Sequence, residues 1–215
     1  MSVDVVLATR NAHKIMEVKR IISSICDDIN ILDLNDWPEA PEVVEDAPTF
    51  AANALLKARA IAAYTGLPAI ADDSGICVDA LNGMPGIFSA RWAGSHGNDK
   101  ANLNLLLDQL HDVPDARRSG HFICAFVIAT PDGDERVVEG VMEGEITRES
   151  RGVDGFGYDP IFQPYGFDRT SAELTAEEKD AISHRGQALR SFVPVLMDML
   201  LPARGCGAGC KCAGA

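Results

Sequence analysis

Two adjacent carboxylates interrupt an apolar run of this 215-residue chain. Asp72 and Asp73 lie inside the stretch 68–81, which is otherwise typical of a strand. Carboxylates are costly to bury in such a run unless a cation compensates their charge. A divalent ion such as Mg²⁺ does so with oxygen ligands, and it would also neutralise phosphates. The candidate metal ligands are Asp73 of this pair and Glu45 from an earlier acidic segment. The alternative interpretation of residues 72–75 is a surface turn of Asp, Ser and Gly.

A second polar segment lies where a predicted strand leads into a predicted helix. Backbone N–H groups at a helix start, short polar side chains and an ammonium group can converge on a phosphate. The segment lacks the glycines of a Walker loop, so a capped helix with a solvated basic turn is an equally good interpretation. Its candidate phosphate-binding residues are Thr9, Arg10, Asn11, Ala12, His13 and Lys14.

A third set combines a glycine-rich aromatic segment with a basic helix start about twenty-five residues further on. An aromatic ring, from either Phe156 or Tyr158, can stack on a base, and a carboxylate can accept a hydrogen bond from a ring N–H. A basic pair near a helix start adds positive charge to the helix dipole. These groups indicate a nucleotide, and a glycine-rich connection with a buried Tyr and a capped helix is the alternative. The candidates are Phe156, Gly157, Tyr158, Asp159, Lys179, His184 and Arg185.

Two further patterns leave their role open. Thr49, Asn53 and Lys57 are four residues apart and so share one face of a predicted helix. That face could contact a ligand or solvent, and the spacing does not decide between them. The tail 203–215 carries three cysteines, one fewer than a closed tetrahedral zinc site needs, which favours a flexible extension over metal capture.

The elements that must position these groups are strands alternating with helices. Strands are predicted at 3–8, 29–32, 68–81 with a break at 72–75, 122–129 and 135–146, the last two as a hairpin. Helices are predicted at 14–25, from the cap at 49 to about 66, at 99–110, after the capping box at 175, and from 183 to about 200. Pro194 should cost the last helix about 3 kcal/mol or kink it. This mixture predicts an α/β fold.

Composition limits the classes of partner. The chain has 47% hydrophobic residues, enough for one domain, predicted at 1–202, followed by the Cys-rich tail. Its 19 Lys and Arg against 32 Asp and Glu give a net charge of −13, which disfavours nucleic acid polymers and anionic membranes. Without a membrane-length apolar run or a basic leader before Thr9, the sequence predicts a cytoplasmic protein that binds a small molecule.

Six motifs, taken in order, resemble the noncanonical purine nucleoside triphosphate pyrophosphatases, the inosine/xanthosine triphosphatase (Ham1-like) family. Each motif alone is weak, and six in register are highly specific. The resemblance covers about residues 3–200. The motifs are ATRNAHKIME at 8–17, TFAANALLKA at 49–58, ADDSG at 71–75, PGIFSAR at 85–91, GFGYDP at 155–160 and SHRG at 183–186.

The resemblance implies an activity and an architecture. The implied reaction is Mg²⁺-dependent hydrolysis of ITP, dITP and XTP to the monophosphate and pyrophosphate. The implied structure is a homodimer of an elongated, two-lobed α/β fold, a mixed sheet with flanking helices and a central substrate cleft. Related pyrophosphatases of other modified nucleotides, or a nucleotide-binding regulator without turnover, are the alternatives.

The resemblance also implies roles for the candidate residues. Residues 9–14 would bind phosphates, Glu45 and Asp73 would hold Mg²⁺, and Asp73 would accept the proton of the attacking water. One departure concerns Ala52, which stands where many family members carry Glu, so the contribution of that helix to metal binding is open. The remaining implied nucleotide-binding residues are Ser74, Phe156, Gly157, Tyr158, Asp159, Lys179, His184 and Arg185.

Overall fold

The computed structural model describes residues 2–201, except for the side chain of His13, and the cysteine-rich tail lies outside the described residues. The strands are β1 Val3–Leu7, β2 Ile29–Asp33, β3 Ala69–Val78, β4 Met84–Pro85, β5 Ser119–Ala129, β6 Glu135–Ile146 and β7 Phe162–Pro164. The helices are α1 Ala12–Ile25, α2 Phe50–Thr65, α3 Asp99–Gln109, α4 Ala176–Ile182 and α5 His184–Leu200. The predicted mixed α/β class is confirmed.

Within residues 2–201 the seven strands form one mixed sheet, in the order β2-β1-β3-β5-β6-β7 with β4 paired to β3. β1 runs parallel to β2 and to β3, whereas the β3–β4 and β6–β7 pairs are antiparallel. No helix of the described residues is long and apolar enough to cross a membrane.

The chain divides into two compact units. The first unit comprises residues 2–73, 125–139 and 188–201, and the second comprises 74–124 and 140–187. Each has its own apolar core. In the first unit, apolar residues of α2, including Ala54, Ala58 and Ile61, pack with β1 and β3. In the second, α3 and the 158–162 segment pack with strand residues such as Ile76 and Phe122.

Local sequence signals place the helix ends as predicted. Thr49 caps α2 by accepting a hydrogen bond from the Ala52 N–H at 3.1 Å, and α2 ends at Gly66, whose φ of 70° favours glycine. A capping box formed by Thr175 and Glu178 starts α4. α2 is thereby held at both ends, which matters because two of its polar residues reach the candidate site.

The break predicted in β3 is wrong, because the strand continues through Asp72 and Asp73. The expectation assumed that buried acids would force a turn. Instead their charge is compensated within the first unit, since Lys14 pairs with Asp72 and Asn53 donates to Asp73. A strand can carry two acids when their partners arrive from other elements.

Pro194 does not divide the final helix, which runs as one element from His184 to Leu200. A proline removes one backbone hydrogen bond from a helix. Phe192, Val193 and Leu196, on both sides of it, are fully buried. Burial of this apolar face stabilises the helix and offsets the lost bond.

Candidate active site

The turn between β1 and α1 is held by its own side chains. The Thr9 hydroxyl accepts from the Asn11 N–H at 3.2 Å, and the Asn11 side-chain oxygen accepts from the Lys14 N–H at 3.3 Å. Asn11 therefore acts as the predicted cap of α1, which begins at Ala12. The first turn of this helix directs backbone N–H groups outward, as an anion site requires.

Arg10 has a structural contact within this turn. Its guanidinium donates to the carbonyl oxygens of Pro38 and Ala40, both at 3.2 Å. Arg10 thus ties the start of α1 to the loop that leads towards Glu45. Its assignment to phosphate stays a prediction, and a phosphate would compete with these carbonyls.

Lys14 lies against a buried carboxylate. Its ammonium is 2.7 Å from the Asp72 side chain, and the two side chains are 16% and 0% exposed. Because a buried carboxylate needs a partner, this pair explains how β3 carries Asp72. Asp72 also fixes the position of the Lys14 ammonium. This ion pair could not be predicted from sequence spacing.

Asp73 is 9% exposed, and Asn53 of α2 holds one of its oxygens. The Asn53 amide donates to Asp73 Oδ2 at 3.1 Å, while its carbonyl oxygen accepts from the Ala47 N–H at 2.9 Å. Burial raises the pKa of Asp73, and Glu45 raises it further, against the opposing effects of Lys57, Lys14 and Asn53. A carboxylate with a raised pKa is a stronger proton acceptor.

Lys57, one turn after Asn53, lies among the acids of the first unit. Its ammonium is 3.0 Å from Glu45 Oε1, and its side chain is 16% exposed. Burial alone would lower the pKa of Lys57, but Asp73, Asp72 and Glu45 together outweigh burial and raise it. The helix face that carries Asn53 and Lys57 therefore contacts the carboxylates, which the four-residue spacing had left open.

The donors of the first unit suit a hard divalent cation. Mg²⁺ uses one or two carboxylates and fills its other positions with waters and substrate phosphates. Glu45 and Asp73 supply two carboxylates close enough for one to perturb the other. Among residues 2–201, apart from the His13 side chain, no group of three or more Asp, Glu, His or Cys side chains could hold a metal ion.

In the second unit an aromatic ring lies near two cations. The Phe156 ring is 5.2 Å from the Lys179 ammonium and 5.6 Å from the Arg185 guanidinium. Phe156 is 36% exposed, whereas Arg185 is 2% exposed. An exposed ring that contacts a buried and a half-buried cation is a suitable platform for a planar base.

Asp159 is a buried carboxylate that binds two members of the same cluster. It is 3% exposed, and its Oδ2 accepts from the Phe156 N–H at 2.8 Å and from the Lys179 ammonium at 2.6 Å. Gly155 makes room for this contact, because a Cβ at Gly155 would collide with the Asp159 carboxylate. Asp159 therefore fixes the position of Lys179 and of the 155–157 backbone.

Tyr158 faces the core of the second unit. It is 5% exposed, and its hydroxyl donates to the Ser89 carbonyl oxygen at 2.8 Å. Burial, with a smaller contribution from Asp99, raises the pKa of Tyr158. The Gly157 N–H donates to Asp99 at 3.0 Å, which holds the loop. Of the two rings proposed for base stacking, Phe156 is the exposed one.

The start of α5 contributes two further candidates. The Arg185 guanidinium donates to the Ser74 hydroxyl at 3.1 Å, which joins β3 to α5 within the second unit. His184 is 7% exposed and stacks on Phe122, with ring centroids 4.8 Å apart and an angle of 11°. Arg185 thus lies beside Ser74 and Phe156. His184 packs the start of α5 against the ring of Phe122.

Relatives of the chain match it over nearly their whole length. The dITP/XTP pyrophosphatase of Streptomyces coelicolor is 57% identical over 195 residues, covering 91% of this chain and 98% of that protein. The dITP/XTP pyrophosphatase of Corynebacterium efficiens is 52% identical over 200 residues, covering 90% of this chain and 97% of that protein.

Solved structures give the same result. A dITP/XTP pyrophosphatase from Mycobacterium abscessus is 51% identical with a TM-score of 0.75, over 89% of this chain and 99% of that one. A HAM1 protein from Coxiella burnetii is 41% identical with a TM-score of 0.84, over 91% of this chain and 99% of that one. The profile of the Ham1 family matches residues 5–195. The chain belongs to the Ham1 family.

Proposed function

We propose that the protein hydrolyses noncanonical purine nucleoside triphosphates, namely ITP, dITP and XTP, to the monophosphate and pyrophosphate, and so removes them from the nucleotide pool. The observation that carries the proposal is the cluster of Asp73, Asn53, Lys57 and Glu45, with Asp73 and Asn53 buried, in a chain 57% identical to a dITP/XTP pyrophosphatase. A binding protein without turnover would gain little from a carboxylate whose pKa is raised by burial.

Asp73 is the group that accepts the proton of the attacking water. Burial raises its pKa and thereby its basicity, and Asn53 holds one of its oxygens so that the carboxylate keeps its orientation. A positioned base of this kind accelerates hydrolysis at phosphorus because the water attacks as its proton leaves.

Lys14 and Lys57 provide positive charge for the phosphates. Both ammonium groups are held by carboxylates of the first unit, Lys14 by Asp72 and Lys57 by Glu45. Cations positioned in advance stabilise the charge that develops on the pyrophosphate leaving group. Glu45 and Asp73 would hold Mg²⁺, which when bound neutralises phosphate charge and polarises the reacting phosphoryl group.

Residues of the second unit would bind the base. The exposed Phe156 ring offers a stacking surface, and Arg185 lies 5.6 Å from it as a hydrogen-bond donor. A donor facing the 6-keto oxygen of hypoxanthine or xanthine would face another donor when adenine arrives, and burying that mismatch is costly. The proposal therefore places ATP among the poor substrates.

The test is pyrophosphate release from ITP, XTP, dITP, ATP and GTP, each with Mg²⁺ and with EDTA. We expect kcat/KM for the first three to exceed that for ATP by about 10²-fold or more, the discrimination that an unpaired polar group allows. Nucleotide binding without release of pyrophosphate would instead identify a regulator, and a preference for modified pyrimidines would identify a different pyrophosphatase.

The same family membership underlies our proposal that the protein is a cytoplasmic homodimer. Sedimentation equilibrium of the full chain tests the assembly, with a mass of twice 23.0 kDa expected. A monomer at the concentrations used for kinetics would contradict it. Fractionation of the source cells tests the location.

A further inference from the structure

Lys57 lies where a cation is needed by more than one acid. Its nearest carboxylate is Glu45, at 3.0 Å, and Asp73 and Asp72 are both close enough to raise the pKa of its ammonium. The side chain is 16% exposed and emerges from α2, one turn after Asn53, which itself holds Asp73. Lys57 is therefore confined among carboxylates that it neutralises.

The charges of this cluster show why the position matters. The carboxylates of Glu45, Asp72 and Asp73 lie near the ammonium groups of Lys14 and Lys57. Asp72 is paired with Lys14 at 2.7 Å and Glu45 with Lys57 at 3.0 Å, and of the two ammonium groups Lys57 has the larger electrostatic effect on Asp73. Burial makes charge neutralisation more important here than at the surface, because the local dielectric is low.

We propose that Lys57 is a placeholder cation, whose ammonium neutralises Glu45 and Asp73 until a divalent ion binds these two carboxylates and displaces it. The proposal rests on the proposed function, because it concerns the same two acids. It adds that Lys57 and the divalent ion compete in the nucleotide-free protein. A displaced ammonium then becomes available to an arriving phosphate, which couples metal loading to substrate binding.

Competition predicts the sign of a mutational effect on metal affinity. Lys57→Met keeps most of the apolar stem of the side chain and removes the competing charge. Its nucleotide-free affinity for Mn²⁺, measured by calorimetry and by the electron paramagnetic resonance signal of free Mn²⁺, should rise about tenfold, a usual strength for coupling between two sites. If Lys57 instead helped to assemble the ligands, the affinity would fall or stay unchanged, and the proposal would be overturned.

Two control variants separate this effect from a general change in charge. Lys100→Met removes one positive charge from an exposed position on α3, and its Mn²⁺ affinity should stay within about twofold of wild type, because exposed charges are screened by salt. Lys57→Arg keeps the cation, so its affinity should not rise as that of Lys57→Met does. An equal gain in Lys100→Met or Lys57→Arg would overturn the placeholder role.

A second measurement covers the case in which Lys57→Met does not fold. In the wild-type protein labelled with ¹⁵N-lysine, the Lys57 ammonium resonance should move on titration with Mg²⁺ in the absence of nucleotide, and an unmoved resonance would overturn the proposal. Failure of the proposed function is distinguishable, because it appears as absence of ITP hydrolysis by the wild type. The Mn²⁺ titration decides the role of Lys57 in either case.

Discussion

The candidate clusters of the two units differ in their charged groups: carboxylates with ammonium partners in the first unit, and cations beside an exposed aromatic ring in the second. In the first unit Lys14 pairs with Asp72, Lys57 pairs with Glu45, and Asn53 donates to Asp73, so the carboxylates are held by partners at buried or half-buried positions. In the second unit Lys179 pairs with Asp159, and Lys179 and Arg185 both lie near the exposed Phe156 ring. Buried carboxylates favour a nearby cation, whereas cations beside an exposed ring favour an anion or an electron-rich ring.

This difference assigns separate tasks to the two clusters. The first contains the group suited to proton transfer, and its pKa is shifted in the direction that such a task needs. The second holds its exposed ring in place through hydrogen bonds to loop backbone, such as that from the Phe156 N–H to Asp159. Substitutions in the first unit should therefore change mainly kcat, and those in the second mainly KM.

The largest effect is expected at Asp73. Asp73→Asn keeps the shape of the side chain and its contact with Asn53 but removes the proposed proton acceptor, so kcat for ITP should fall about 10³-fold, within the roughly 10²–10⁴ that such a base contributes. Initial rates of pyrophosphate release at saturating ITP measure this. Asp33→Asn, at a carboxylate paired with Lys19, is the control and should keep kcat. A kcat above a tenth of wild type in Asp73→Asn would refute the assignment.

A smaller effect is expected at Asn53, which we regard as a positioning residue. Asn53→Ala frees the Asp73 carboxylate and the Ala47 backbone, and kcat should fall about 10- to 100-fold, as for partners that orient catalytic ligands. Because the Asn53 hydrogen bond lowers the pKa of Asp73, the acid limb of the kcat profile should also move to higher pH.

Asn102 provides the matched control in the second unit. It is also buried, and it joins the Ala93 N–H at 2.7 Å to the Ala90 carbonyl at 3.1 Å. Asn102→Ala should lower the melting temperature as Asn53→Ala does without moving the acid limb. If both variants left the pH profile unchanged, Asn53 would have a structural role only.

The next effect tests the second unit. Phe156→Ala removes the exposed ring, and KM for ITP should rise about tenfold, within the range that stacking of one base on an aromatic side chain provides. Tyr158→Phe is its control, because it removes only the buried hydrogen bond to Ser89, so stability should fall by about 1 kcal/mol while KM stays within about twofold. The reverse pattern would make Tyr158 the stacking ring.

Local patterns predicted the helix ends, because a cap depends on residues within a few positions of itself. Thr49, Asn11 and the Thr175–Glu178 pair all cap helices as expected. The continuity of β3 was not predictable in this way, since it depends on contacts such as that of Asp73 with Asn53, 20 residues away. Sequence spacing identifies candidate side chains, but only tertiary packing determines which of them are in contact.

The candidate site shows the same limit. The motifs identified the candidate residues of the site, but they did not show which residue makes which contact. From the sequence, Tyr158 and Phe156 are equally suited to stack on a base. Only tertiary packing shows that Tyr158 is 5% exposed and Phe156 36% exposed. Asn53 and Lys57 shared a helix face whose environment had to be seen before their contacts with Asp73 and Glu45 could be assigned.

The smallest effect concerns stability and pH. Because burial and Glu45 raise the pKa of Asp73 in the folded protein, the folded state binds this proton more tightly than the unfolded state. The associated stability is present at pH values below the unfolded pKa and is lost as pH rises through the folded value. Asp73→Asn should therefore melt about 2–4 °C higher than wild type at pH 7.5 in EDTA, the shift that 1 kcal/mol produces in a domain of this size. This gain should shrink as the pH approaches 4.

Glu178 of the second unit provides the opposite case. Hydrogen bonds from Arg169 and from the Thr175 backbone lower the pKa of Glu178, so its contribution is present at neutral pH and is lost in acid. Glu178→Gln should melt lower than wild type at pH 7.5, and the difference should close as the pH falls through the lowered pKa. If Asp73→Asn and Glu178→Gln shifted the melting temperature in the same direction at pH 7.5, the Asp73 carboxylate would be a stabilising group, and the contrast between an acid held for chemistry and an acid held for stability would fail.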